Sequence, residues 1–148
     1  MERPILKPVG TPVEELDTPA LVVDLDVLEK NIETVHSFFE GSQAKLRPHV
    51  EAHRCPAIAH KQLAAAGTVG GISVGNVGVA EVFAQQGFGD ILVAAEIVTP
   101  QKITRLCALA RSAKITVAVD SPDNVKDLSD AARAEGSASM SSWTSIRA

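Results

Sequence analysis

Residues 90–136 read DILVAAEIVTPQKITRLCALARSAKITVAVDSPDNVKDLSDAARAEG, and they hold two copies of one structural unit. The apolar run over 90–95 predicts a strand. Thr99-Pro100 then opens a helix over 100–112, a capping hydroxyl followed by proline at the first helical position. The unit recurs at once, with a strand over 114–119, a helix over 122–135 opened by Ser121-Pro122, and Gly136 as its stop. Strands this continuously apolar are expected where parallel strands lie beneath helical crossovers, or where a barrel buries one face.

The same unit extends toward the N-terminus. A strand over 69–74 precedes a helix over 77–86 ended by Gly87, and a strand over 46–50 precedes a helix over 56–66 ended by Gly67. Ahead of these, Asp17-Thr18-Pro19 signals a turn and residues 20–25 form a β-rich run. Asp26 is the expected cap of a helix whose apolar positions Leu28, Ile32, Val35 and Phe39 repeat at helical spacing, with Gly41 as its stop. Strand starts fall roughly 21–25 residues apart, and strict alternation of strand and helix calls for a parallel sheet. An open doubly wound sheet competes, but Gly75-Asn76-Val77-Gly78 is a poor substitute for the dinucleotide-binding glycine pattern and does not follow the first strand. The expected fold class is therefore α/β, an incomplete parallel (β/α)8 TIM-type barrel comprising about the first four β/α units.

The expected organisation is an irregular lead-in over 1–16, a partial barrel domain over 17–136 and a serine-rich tail over 137–148. A fifth apolar strand is due near residue 138, where SASMSSWTSIRA stands instead and predicts no strand. A barrel needs about eight units and ~200 residues or more, so about half would be missing. Such a half-barrel would leave two open strand edges and an apolar inner face without its partners, which predicts self-association.

Composition excludes several functions. Net charge is −4, there is no Tyr and only one Trp, so neither a phosphate backbone nor single-stranded bases have an evident platform. No window approaches the ~18 apolar residues of a membrane span. Cys55 and Cys107 lie in stretches that read as helical and imply no disulfide framework, so a reduced, cytoplasmic protein with small, core-facing cysteines is expected. Gly70-Gly71 and Gly75 read as close-packing and turn glycines rather than a phosphate cradle. Asp120 reads as part of the strand-to-helix turn. His36 and His60 are expected at the surface or half-buried.

Chemistry concentrates in Arg47-Pro48-His49-Val50-Glu51-Ala52-His53-Arg54-Cys55, at the C-terminal end of a strand, where barrel enzymes place their sites. A His-x-Glu-x-His metal site is one reading. On an extended chain, however, His49 and His53 would lie ~13 Å apart, too far to share one ion. A polar strand end with hydrogen-bonded histidines is the other, and no metal is expected.

Two motifs carry a resemblance. Asp17-Thr18-Pro19-Ala20-Leu21-Val22-Val23-Asp24 and Leu46-Arg47-Pro48-His49-Val50, with Ala52-His53-Arg54-Cys55-Pro56, resemble the opening of the D-threonine aldolase and D-serine dehydratase family. That family also takes in 3-hydroxy-D-aspartate aldolase. The likeness runs in order through roughly residues 10–136, including Val77-Gly78-Val79-Ala80-Glu81-Val82 and Val119-Asp120-Ser121. It implies an alanine-racemase-like barrel, pyridoxal phosphate as cofactor, a D-amino acid as small-molecule substrate, and Arg47, His49 and His53 beside the cofactor.

The family pattern is Arg-Pro-His-x-Lys-x-His-Lys, whose first lysine forms the Schiff base. Glu51 stands at that position and Arg54 at the second lysine. A carboxylate has no amine to form an imine, so covalent attachment of the cofactor is not expected. A second departure is Ala95 before Glu96, where the family commonly has asparagine. The family's phosphate loops and divalent-metal ligands fall outside the matching stretch. The resemblance implies a truncated, inactive lyase relative. Alternatives are a non-catalytic half-barrel that associates with another chain, and a frameshifted product with no function of its own.

Overall fold

The structure, a computed structural model, describes residues 7–135 and 144–145. Its regular core is a run of strand–helix units. Strand β1 (Ile72–Val74) leads into helix α3 (Val77–Gln85), β2 (Asp90–Val93) into α4 (Pro100–Leu109), and β3 (Lys114–Val119) into α5 (Pro122–Ala134). Two helices precede them, α1 (Leu25–Ser37) and α2 (Pro56–Ala64). All strand pairs are parallel and the order is sequential, β1-β2-β3, with a short β4 (Thr144–Ser145) at the far edge. Sequential order with parallel pairing is barrel-like. A doubly wound sheet would reverse its strand order, and that competitor falls away.

Burial separates the two faces of the sheet. Register aligns Ile72, Ile91 and Ile115 in one row and Val74, Val93 and Val117 in the next, and all six are buried. Against them pack Val77, Ala80 and Phe83 from α3, Ile103, Leu106 and Cys107 from α4, and Leu128 from α5. The opposite face carries the row Ser73, Leu92 and Thr116, with Asp90 and Lys114 paired below it. This inner face is largely polar, which corrects the expectation of an apolar one. A continuous apolar run hides the distinction, because Leu92 and Ala118 break the alternation that would reveal two unlike faces.

Local capping explains most helix starts. Pro56, Pro100 and Pro122 each occupy the first helical position, where a missing N–H costs nothing. Asp24, rather than the expected Asp26, caps α1, its side chain accepting from the Val27 N–H at 3.0 Å. Helix α1 begins one residue later, so Asp26 lies in the first turn, where its charge still favours the helix dipole. His36 is 2% exposed, contrary to a surface placement. Its Nδ1 bonds the Ala66 carbonyl at 3.1 Å, so Nδ1 carries the proton and Nε2 lies buried with no partner. Gly67 has φ +74°, and a Cβ there would lie 2.7 Å from the His36 carbonyl oxygen, so only glycine lets the end of α2 return this closely to α1.

Three expected strand features differ. Residues 20–24 have no regular structure, and the apolar side chains are open to solvent, with Leu21 fully exposed and Val22 and Val23 more than half exposed. β propensity needs a neighbouring strand, and no described strand pairs there. Residues 46–50 make only isolated parallel bridges, Leu46 with Thr68 and His49 with Ser73. Between the two bridges one side covers four residues, Leu46 to His49, against six on the other, Thr68 to Ser73, and Pro48 offers no N–H, so the ladder breaks. In the tail, Thr144–Ser145 forms β4 and pairs with Ala118 and Val119, where no strand was expected. Backbone pairing needs no apolar side chain, which is why serine-rich sequence gave no sign of it. The rest of 136–148 lies outside the described residues.

At the N-terminal ends of the strands, Arg47 Nη1 bonds Asp90 Oδ1 at 2.7 Å, and Lys114 Nζ bonds Asp90 Oδ2 at 3.0 Å. Gly71 lets the arginine cross the sheet, since a Cβ there would sit 2.2 Å from Nη1. Partial burial works to raise the Asp90 pKa, but the hydrogen bonds and charges of Arg47 and Lys114 outweigh it and hold the carboxyl below its usual value. Its stabilisation is therefore full above the unfolded pKa and lost as pH falls through the lower, folded one. Asp90→Asn is expected to cost on the order of 2 kcal/mol at neutral pH and to flatten the acid side of a stability–pH profile from urea unfolding. An unchanged profile would remove Asp90 as the anchor.

Candidate functional site

The strand end of the first unit does not run on extended. Val50–Ala52 forms a single 3-10 turn, so the extended-chain separation of His49 and His53 does not apply. The turn closes with the Arg54 N–H on the Val50 carbonyl at 2.8 Å and leaves Arg54 at φ +51°. A non-glycine side chain in that left-handed region costs roughly 1–2 kcal/mol.

The structure sends the predicted site residues to different places. Glu51 reaches the C-terminal end of β1, where its Oε1 accepts from the Gly75 N–H at 2.7 Å and from Asn76 Nδ2 at 3.0 Å. Asn76 is the cap of α3, its Oδ1 accepting from the Val79 N–H at 2.9 Å. A Cβ on Gly75 would come within 3.1 Å of Glu51 Oε1, so any larger residue would make the carboxylate give by a few tenths of an ångström. Arg47 serves the opposite end of the sheet, in the Asp90 ion pair.

His53 is committed on both nitrogens. Nδ1 accepts from the Cys55 N–H at 3.0 Å, which leaves Nε2 as the donor to Gln62 Oε1 at 3.1 Å. A second ring proton would break the bond to Cys55. His49 is exposed, and its Nδ1 pairs with Ser73 Oγ at 3.0 Å on the inner face. The Ser73 hydroxyl donates to the Pro48 carbonyl, so it accepts from His49 Nδ1 and leaves Nε2 as the free lone pair.

Among the described residues no group of His, Cys, Asp or Glu has metal-holding geometry. Cys55 is half-buried just ahead of α2, while Cys107 is buried in α4, where burial first and the nearby Glu135 charge second push its thiol pKa up. Asp120 is exposed beside Ser121, whose side chain caps α5. His60 is exposed and stacks on Phe88 at 4.2 Å between ring centroids. No described helix is long and apolar enough to cross a membrane.

Asn76 went unnoticed in the sequence as a partner for Glu51. The available signal was its place before a helix that lacked a named cap, since a capping asparagine has a spare amide to donate.

The alanine racemase N-terminal domain model matches residues 23–140. The chain is 40% identical over 122 residues to a D-threonine aldolase of an Arthrobacter species, covering 82% of this chain and 32% of that protein. It is 37% identical over 128 residues to the 3-hydroxy-D-aspartate aldolase of Paracoccus denitrificans, covering 86% and 33%. The crystal structure of D-threonine aldolase from Filomicrobium marinum superposes with a TM-score of 0.82 at 39% identity, over 92% of this chain and 36% of that one. The chain thus spans about a third of the length of these relatives. A matched stretch of this extent, carried on a partial barrel-like parallel sheet, shows that the chain belongs to the alanine racemase N-terminal domain family.

Proposed function

We propose that this chain is a non-catalytic relative of the pyridoxal-phosphate lyases that cleave or dehydrate D-configured β-hydroxy amino acids. The reading takes Glu51, from the resemblance, as the Schiff-base position, and one observation carries it: that carboxylate is already engaged by Gly75 and Asn76. The residues present therefore do not fit a covalently held cofactor. No imine forms on a carboxylate. A negative charge balanced only by neutral donors also disfavours a phosphate ester beside it. Lysines with assigned partners sit elsewhere: Lys114 on Asp90 at the far strand ends, Lys61 on Glu29, and Lys126 on Asp130. His53 adds no free base, since both its nitrogens are bonded.

Titration of the purified chain with pyridoxal phosphate, followed by absorbance, tests this. The expected spectrum is that of the free cofactor. A saturable band in the protonated-aldimine region would overturn the reading.

A second reading is favoured by a separate observation. The run Leu21-Val22-Val23, Val27 and Val35 on α1, and Phe38 at its C-cap are all more than half exposed. A surface of this kind suits a module that works by association with another chain.

A further inference from the structure

The geometry points to Glu51 as a latch that fixes the 3-10 turn Val50–Ala52 to the loop and cap that open α3, through donors that a lysine cannot satisfy. Glu51 Oε1 takes both the Gly75 N–H at 2.7 Å and Asn76 Nδ2 at 3.0 Å. The asparagine works in two directions, since its Oδ1 holds the Val79 N–H while its amide holds Glu51. Its amide orientation is thereby fixed: Oδ1 faces the helix backbone and only donors face residue 51. The glutamate thus welds two loops far apart in sequence, and its negative charge sits at the N-terminal end of α3, where the helix dipole favours it.

A lysine at this position would bring an ammonium, itself only a donor, to two donors and the positive end of a helix. The two groups that hold Glu51 are donors and could not accept its protons, and the Gly75 N–H would lose its partner. The local structure has therefore been built around an acceptor, and Glu51→Lys restores the family residue while breaking the turn that holds it. The statement about reversion rests on reading Glu51 as the family lysine position. The latch itself is measured without cofactor, so the two stand or fall separately.

The test is amide hydrogen exchange at Gly75, read by NMR on the cofactor-free chain and its variants. Glu51→Gln keeps an acceptor and is expected to leave Gly75 protected within about threefold of the wild-type rate. Glu51→Lys and Glu51→Ala are expected to speed Gly75 exchange by about ten- to a hundredfold, the range that a hydrogen bond to a charged acceptor supports. Exchange at Ile91 and Val93 in β2 should stay unchanged. Glu51→Ala adds no charge and covers the case in which Glu51→Lys does not fold. Wild-type exchange at Gly75 in the Ala variant would overturn the latch. An equal acceleration of Gly75, Ile91 and Val93 would overturn it too, since the effect would then be global.

Discussion

Incubated with pyridoxal phosphate and D-threonine, D-serine or 3-hydroxy-D-aspartate, the 148-residue chain is expected to show no turnover above that of the cofactor alone. The resemblance assigns imine formation and proton transfer at Cα to one lysine, and Glu51 performs neither in that way. General acid–base catalysis alone contributes roughly 10²–10⁴-fold, so its loss together with the covalent anchor leaves nothing measurable by coupled assay of the aldehyde or keto product. Glu51→Lys is expected not to restore turnover in the same chain. The introduced ammonium meets donors at Gly75 and Asn76, and the chain spans only about a third of the length of its lyase relatives. Recovery of activity by that single substitution would contradict both arguments.

Purified alone, the chain is expected to self-associate and to bind dyes that report apolar surface. The expectation began with an unfilled barrel interior, but the inner face is polar, with Ser73, Thr116 and the Arg47–Asp90–Lys114 ion pairs along it. Exposed apolar side chains line residues 21–25 and α1 through its C-cap, with Leu21 fully exposed and Phe38 81% exposed. Each such side chain gains roughly 1.5–3 kcal/mol when buried. A handful of them gains roughly 5–15 kcal/mol gross, comparable with the roughly 4–15 kcal/mol that association costs, so self-association is expected to rise with concentration. The open backbone edge at residues 46–49 adds to this, although Pro48 blunts it. Light scattering coupled to size exclusion is expected to show oligomers, and the double variant Leu21→Ser, Val23→Ser should shift them toward monomer and reduce dye binding. A dye-silent wild-type monomer with one sharp unfolding transition would show that the exposed run carries no such liability.

The fold was largely legible because its signals are local. Proline at the first helical position marks α2, α4 and α5 within the sequence itself. Apolar runs over 90–95 and 114–119, too short for helices and bounded by turn signals, read as strands, and β2 and β3 lie there. What stayed hidden depends on partners that a single stretch does not contain. The run over 20–25 has every propensity of a strand and no neighbour to pair with, whereas Thr144–Ser145 has no propensity and a neighbour in β3. His36 looks like a surface residue until the Ala66 carbonyl arrives from α2 to take its proton.

The candidate site shows the same division. Glu51 stood out as a chemical misfit in a recognised motif, because a carboxylate cannot do what an amine does. Its donors did not stand out, because Gly75 and Asn76 lie 24 and 25 residues away and meet it only through the parallel pairing of the first unit with β1. Arg47 reads as a neighbour of His49 in the motif, yet its long side chain crosses Gly71 to the other end of the sheet. Adjacent residues in a strand-end motif can therefore serve opposite ends of the same fold.

Whether residue 51 can hold the cofactor is decided by borohydride trapping. The chain is incubated with pyridoxal phosphate, reduced, digested and mapped by mass. No stoichiometric adduct is expected on any one lysine, only trace labelling scattered over exposed side chains. A single lysine carrying one reduced cofactor per chain would contradict that expectation.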